Sequence, residues 1–406
     1  MSIIELGHLN IYLLFPFLVP LFYSFRDIAF KGIFSLNFLS HPIFETLIMF
    51  LSEVICIPFE LLRIHNSKPR IRQIRQSAIT VEQNILIERN KVISQPSYWK
   101  EPKIYMLISL SAAIDLICYT SISFSCAYGV IQTNNIHTEM RILPIFFMSL
   151  LSWKFLQMQI YNHHLVSIGF IGIGFLIIFT DLFVAIELTI TQKILVIILF
   201  LVIHFFYSIK HINDKYLMEH KYISPFLLLF FEGVSGVILT FVTYAIAYLI
   251  ECKEEWNFCT TGPVFETFSK DLKDLANNVN VSALLYLLLL LFSSSGLNIF
   301  LMLTKNYFSP SHRSVSDTMN AFFAWIVNFF FDWNNNWSFI KVIGYVFIMI
   351  GCCIFNEIIL LKFWDLDKDT KGNIEDRSKK EDNEYVEINN LNNKKKEDNK
   401  ASKEDY

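Results

Sequence analysis

Charge is scarce in this 406-residue sequence: Asp, Glu, Lys and Arg together make up 17%, against 53% hydrophobic residues and a mean hydropathy of +0.42. A chain so poor in charge and so rich in Phe, with 40 of them, is neither a disordered chain nor an ordinary soluble domain over most of its length. Basic residues are also missing ahead of the first apolar run. Glu5 but no Lys or Arg precedes Leu9–Phe25, so this run is expected to stay as a helix and not to be cleaved as a signal peptide. No nucleic-acid-binding module is recognisable, and no nucleic-acid partner is expected. Repeated His-rich metal patterns are absent too: His163-His164 is an isolated pair, and His204 and His211 stand seven apart. No Ser or Cys has an evident base beside it, so the enzyme reading ranks last, and neither cofactor nor metal is expected. Of only seven cysteines, Cys56, Cys118, Cys126, Cys352 and Cys353 fall in apolar runs, where a thiol is a small hydrophobe. Cys252 and Cys259 share a loop and are a candidate disulfide, although their short spacing suits two free thiols equally.

What the sequence does have is membrane-length apolar runs. They are Leu9–Phe25, Ile43–Leu62, Ile104–Ala127, Thr133–Phe155, Leu165–Val184, Ile194–Ile212, Phe226–Ile250, Val281–Leu303, Ser314–Phe331 and Phe339–Leu361. The expected fold is therefore an all-α polytopic membrane protein of ten transmembrane helices. With a cytoplasmic N-terminus, the inner connections hold Arg63, Lys68, Arg70, Arg72, Arg75, Arg89, Lys91, Lys100, Lys103, Lys154, Lys210, Lys215, Lys221, Lys305 and Arg313. The outer ones hold Arg26, Lys31, Lys193, Lys253, Lys270, Lys273 and Lys341. Fifteen against seven favours this orientation, with both termini cytoplasmic.

One run carries ionisable residues where lipid forbids them. The purely apolar part of Thr133–Phe155, Ile142 to Trp153, covers only ~18 Å of a ~30 Å hydrocarbon core, so a spanning helix must reach back to about Thr133. Arg141 then lies near mid-depth, where an ionised side chain costs at least ~2.5 kcal/mol and should face a protein interior or a wet cavity. Asn134, His137, Thr138 and Arg141 recur at helical spacings and form one polar stripe, read as part of a solute pathway. The alternative is a helix that starts later, with Arg141 snorkelling to the surface. Glu139 and Arg141, two apart, point to different faces, which leaves Arg141 available to an anion.

Ten spans divide into five and five, and an odd-numbered repeat must place its second copy upside down. The halves are residues 9–184, with the basic inner loop 63–103, and residues 194–361, with the outer loop 251–280. Residues 1–8 form a short cytoplasmic N-terminus. Residues 362–406 read as a disordered, charged cytoplasmic tail: the last 44 residues carry 13 acidic and 10 basic side chains. Tyr385 and Ile388 in that tail match a tyrosine-based sorting pattern, short enough to arise by chance. Ser167 and Gly174 in the fifth run are matched by Gly344 and Gly351 in the tenth, each a small residue seven before a glycine. The fourth and ninth runs each open on a polar stripe, the ninth with Arg313, Asp317 and Asn320.

Several stretches, in this order, resemble the F-type members of solute carrier family 35 in the drug/metabolite transporter superfamily. They are HPIFETLIMFLSEVIC with Glu53; Asp115 followed by Tyr119-Thr120; Met140-Arg141; the Asp181 end of the fifth run; DKYLMEHKYISP leading into FEGVSG with Glu232; SPSHRSVSD with Arg313 and Asp317; and FNEIILL. The resemblance covers most of residues 41–361 and implies a ten-helix carrier in two inverted five-helix repeats, with a central solute site worked by alternating access. The chain departs from the family pattern at Ile142, where relatives have glycine after the arginine, and at Asn320, where they have a second basic residue. Those departures leave a changed substrate or lost transport open.

Residues and resemblance together nominate Glu53, Asp115, Asn134, His137, Thr138, Arg141, Glu232, Asn298, Arg313, Asp317 and Asn320 as the pathway. The alternative for the carboxylates is helix-to-helix glue, for Arg313 and Asp317 mutual neutralisation at spacing four, and for Arg141 a structural pairing with Asp115 or Glu232. The expected function is carriage of a small organic anion of the nucleotide-sugar-like class across an intracellular membrane, endomembrane or lysosome-like. The expected partners are that solute and the bilayer, with a homodimer left open. The rival reading is a non-transporting membrane scaffold that recruits partners through its basic loop and tail.

Overall fold

A computed structural model of the chain describes residues 18–29, 32, 42–65, 101–127, 139–185, 190–250, 268–269, 273, 281–330 and 338–359, with isolated residues beyond. The described residues are helical, and no strand occurs among them. In chain order the helices are α1 (18–29), α2 (Pro42–Val54), α3 (Pro102–Ala127), α4 (Pro144–Phe155), α5 (Asn162–Ala185), α6 (Ile190–His220), α7 (Pro225–Tyr248), α8 (Val281–Tyr307), α9 (Pro310–Phe330) and α10 (Phe339–Phe355). After a turn at 55–56 the chain past α2 resumes as helix over 57–65.

Prolines punctuate this order. Pro144, Pro225 and Pro310 each open a helix, where the missing N–H has no intrahelical partner to lose. Three helix ends turn at a non-glycine residue in the left-handed region: Gln157 (φ 53°) after α4, Tyr222 (φ 53°) after α6 and Glu357 (φ 57°) after α10. Each is clamped by a backbone bond six residues long, from Met158 to Ser152, Ile223 to Leu217 and Ile359 to Cys353.

Five helices, α3, α5, α6, α7 and α8, are long and apolar enough to cross a membrane; α4 and α10 are shorter apolar helices. Their outward faces carry large bare hydrophobics such as Leu176, Leu195, Ile246, Leu285 and Phe292, a surface that water would not tolerate and lipid would. The interior is the reverse, dense in buried charge. The molecule is a helical protein built to sit in a membrane, several passes thick.

Apolar packing is local. Ile142, Ile145, Ile171, Ile178, Val315, Tyr345, Ile348 and Cys352 join α4, α5, α9 and α10, while Cys56, Ile104, Ile108, Leu217, Leu228 and Ile299 join the end of α2 to α3, α6, α7 and α8. The tightest seam lies between α5 and α10. Ser167 donates its hydroxyl to the Gly351 carbonyl at 2.7 Å, and a Cβ on Gly174 would meet the Gly344 carbonyl oxygen at 2.5 Å, so that position admits no side chain.

Several run ends differ from the sequence reading. Helix α6 continues two turns past Ile212 to His220, α8 passes Leu303 to Tyr307, α1 passes Phe25 to residue 29, and α10 ends at Phe355 instead of Leu361. For α1, α6 and α8 the reason is electrostatic, since charged residues at these ends depress hydropathy yet pair inside the bundle; α10 instead stops in a turn at 356–357, where Glu357 takes a φ of 57°. Lys210, Lys215, Lys305 and Arg313, counted above in inner connections, and Lys341, counted in an outer one, are all buried helix residues. Setting them aside leaves eleven basic loop residues against six. Around Arg141 the described helical stretch begins at Glu139; its extension to Thr133, with Asn134, His137 and Thr138, lies outside the described residues. So do Cys252, Cys259, Tyr385, Ile388, residues 1–8 and most of the loops 63–103 and 251–280 and of the tail.

Candidate functional site

The predicted carboxylates converge. Asp115 from α3, Asp214 from α6 and Glu232 from α7 surround the Lys210 ammonium of α6 at 2.8, 3.4 and 3.1 Å. Lys305 from α8 lies 2.5 Å from Asp214 and 3.2 Å from the His211 ring. Asp214 also accepts the Ser111 hydroxyl at 2.9 Å, and the Asn213 amide donates to that same hydroxyl oxygen at 2.9 Å. Glu53 from α2 accepts the Asn298 amide of α8 at 3.3 Å. Five helices thus contribute to one charged knot, in which Glu53, Asp115, Lys210, Asp214, Glu232 and Lys305 are each almost wholly buried. The Lys210 contacts to Asp115 and Glu232 are close ion pairs whose angles do not make them hydrogen bonds, so both carboxylates keep oxygens without a hydrogen-bond partner.

A second cluster holds the arginines. Arg313 donates to Asp317 at 2.6 Å, one turn along α9, and to the Tyr207 hydroxyl of α6 at 2.7 Å. Tyr23 of α1 donates to the other Asp317 oxygen at 2.8 Å. Arg141 lies over the Tyr23 ring, 5.1 Å from its centre, and reaches Asp27 of α1 through two long contacts of 3.4 Å. The two clusters touch where the rings of Tyr207 and His211 pack edge to face, 4.2 Å apart. Glu139 faces away from Arg141, as its two-residue offset requires: it accepts the Tyr345 hydroxyl at 2.5 Å and lies 3.5 Å from Lys341.

Of the predicted residues, then, Glu53, Asp115, Glu232 and Asn298 sit in the knot, and Arg141, Arg313 and Asp317 in the adjoining cluster. Asn320 is fully buried on α9, with neither amide atom hydrogen-bonded. The structural partner of Arg141 is Asp27, in place of the Asp115 or Glu232 suggested by the sequence. Arg313 and Asp317 do neutralise each other, as their spacing allows, but two tyrosines from other helices hold them as well. Sequence reasoning missed Lys210, Asp214, Lys305, Tyr23, Asp27 and Tyr207. A signal was available: Lys210 and Asp214 are four apart, an ion-pairing register continuing straight from an apolar run.

Magnitudes bear on what such a knot is for. Each buried ion carries a desolvation cost of several kcal/mol, whereas polar contacts between membrane helices contribute only ~0.6 kcal/mol on average. As glue, six buried charges are a poor choice, and the middle of the seam between α5 and α10 is held without any. The arrangement can instead bind and exchange ions. Among the described residues no group of three or more His, Cys, Asp and Glu is disposed to hold a metal ion. Beyond the knot, Glu60 ties the 57–65 helix to the start of α7. It accepts Ser224 at 2.6 Å and a bidentate Arg63 at 2.8 Å, a pairing that holds the Arg63 guanidinium above its ordinary range.

No protein-family model and no curated protein matches the chain. Its fold is matched by 28 chains of solved structures. One, described only as the crystal structure of a protein, aligns with a TM-score of 0.50 at 9% identity, covering 85% of this chain and 97% of that one. At that identity the likeness is one of fold alone.

Proposed function

We propose that the protein is a secondary transporter of a small organic anion, of the solute carrier family 35 F type, working by alternating access. The observation that carries this reading is the charged interior itself. Cations and carboxylates from α1, α2, α3, α6, α7, α8 and α9, with Arg141 just before α4, meet between helices whose outer faces suit lipid. Intramembrane charge of this density serves a pathway more readily than a scaffold.

The ten-helix, inverted-repeat architecture belongs to the same proposal, with α1–α5 and α6–α10 as equivalent halves. Two facts support it. Helix contacts recur under a shift of five: α2 packs on α3 as α7 does on α8, α3 on α7 as α8 on α2, and α3 on α6 as α8 on α1. At the α5–α10 seam, Ser167 meets Gly351 and Gly174 meets Gly344. Equating Ser167 with Gly344 and Gly174 with Gly351 turns each contact into the other, as a two-fold axis between inverted copies requires.

Within this reading Arg141 is the anion contact. Its bonds to Asp27 are long, and Asp27 is the more exposed partner, so a phosphate or carboxylate arriving from the Asp27 side takes over the guanidinium fork from it. The test is uptake into proteoliposomes across nucleotide sugars, nucleotides and phosphorylated metabolites, with Arg141→Ala, Arg141→Lys and Arg141→Ala/Asp27→Asn beside wild type. The expected result is uptake lost in Arg141→Ala, partly kept in Arg141→Lys, and still lost in the double variant although it melts like wild type. Uptake restored by Asp27→Asn would reduce Arg141 to a structural partner, and wild-type uptake by Arg141→Ala would remove it from the site.

A further inference from the structure

The knot is unbalanced. Four carboxylates, Glu53, Asp115, Asp214 and Glu232, face two ammonium groups, Lys210 and Lys305, while the nearest guanidinium, that of Arg313, is engaged by Asp317. The imbalance falls unevenly. Asp214 has Lys305, the edge of Lys210 and a hydroxyl donor; Asp115 and Glu232 share Lys210. Glu53 has no cation within ion-pair distance among the described residues. One of its oxygens accepts a single neutral donor, the Asn298 amide at 3.3 Å, and the other, Oε2, has no hydrogen-bond partner although the residue is only 1% exposed.

The groups that face Glu53 are Asp115 and Tyr119 from α3, Lys210 and Asp214 from α6, Asn298 and Lys305 from α8, and Cys56 just past the end of α2, with Glu232 of α7 on the other side of Lys210. Helix α7 presses on it directly: a Cβ on Gly233 would stand 2.9 Å from the Glu53 Cβ. An ionised Glu53 would therefore bury an unpaired charge beside three other carboxylates. A proton on Oε2 removes that charge, needs no space, and leaves Asn298 donating to the carbonyl oxygen.

We propose that Glu53 is a proton-binding site inside the knot, and that the proton it takes up and releases drives solute movement. The second clause rests on the transporter reading; the first does not. In the loaded form one H⁺ from solution is bonded to Oε2 and the net charge of the knot falls from −2 to −1. Release returns the proton to solution and leaves the carboxylate, with no other bond changed.

Infrared difference spectroscopy on the purified full-length chain, stepped from neutral to alkaline pH without any solute, tests the binding clause. The expected result is a protonated-carboxyl carbonyl band lost in the step and absent from Glu53→Gln, with wild type releasing one proton per chain more than this isosteric neutral variant. Glu53→Asp keeps a titratable carboxyl and should return the band at a shifted position, which serves if the Gln variant fails to fold. A band and proton release unchanged in either variant overturns the site, as does a carboxylate signal that responds to Na⁺ or K⁺ at fixed pH, which would make the occupant a metal cation. Proteoliposome uptake tests coupling: wild type should be driven by an imposed pH gradient and Glu53→Gln indifferent to it. A Glu53 band with no uptake of any solute supports the proton site and breaks the transporter reading. Gradient-driven uptake with no such band does the opposite.

Discussion

The α5–α10 seam and the knot of α2, α3, α6, α7 and α8 are both buried between helices, yet they are held by opposite means. Along the middle of the seam backbone meets backbone, with glycine and one serine hydroxyl at the contact; charge stands only at its two ends, where Asp181 accepts the Ser338 hydroxyl at 2.6 Å and Glu357 lies 3.6 Å from His163. In the knot long charged side chains pair across the helices, although α2 and α7 also touch closely at Gly233. A seam of the first kind is rigid because it has one solution; a second shape would cost many packing contacts at once. Ion pairs can trade partners, since one ammonium with three carboxylates around it has several arrangements of similar energy. The difference separates a part of the molecule suited to hold still from a part suited to change.

That contrast can be broken from either side, and the knot gives the largest effect. Lys210→Ala should strand Asp115 and Glu232 and lower stability by about 3–5 kcal/mol, read from thermal unfolding in detergent. Adding Asp115→Asn and Glu232→Gln should restore most of it, a non-additivity that a purely steric role for Lys210 would not give. At the seam, Gly344→Val should cost about 1–3 kcal/mol, because even its Cβ meets Ile178 at 2.5 Å and the Gly174 carbonyl at 2.9 Å. No second-site charge change should rescue it. The smallest effect expected is from Ser167→Ala, which removes one interhelical hydrogen bond and should cost only ~0.6 kcal/mol in the same unfolding assay. A loss as large as that of Lys210→Ala would show that the seam, too, depends on polar contacts.

Much of this was legible in the sequence. Apolar run length gave the helical membrane class, and lone carboxylates in apolar runs named Glu53, Asp115 and Glu232, which do converge. Their cations stayed hidden because Lys210 and Lys305 stand near run ends, where a hydropathy window stops and a lysine reads as a loop residue. Asp27 was lost the same way, two residues past the drawn end of the first run. Sequence spacing reports which face of a helix a residue occupies, but not which of several other helices that face meets. So the pairing of Arg141 with Asp27, 114 positions away, had no local signal.

The sharing of Lys210 has a consequence for how such a protein can vary over time. A carboxylate with its own cation can be lost together with it, in two steps, without disturbing the rest. Asp115 and Glu232 have no such freedom, because one ammonium answers to both and also edges Asp214, so that any exchange at position 210 is felt at three others on three helices. These four positions should therefore change as a block: descendants of this sequence are expected to keep the set entire or replace it wholesale, with few viable intermediates between.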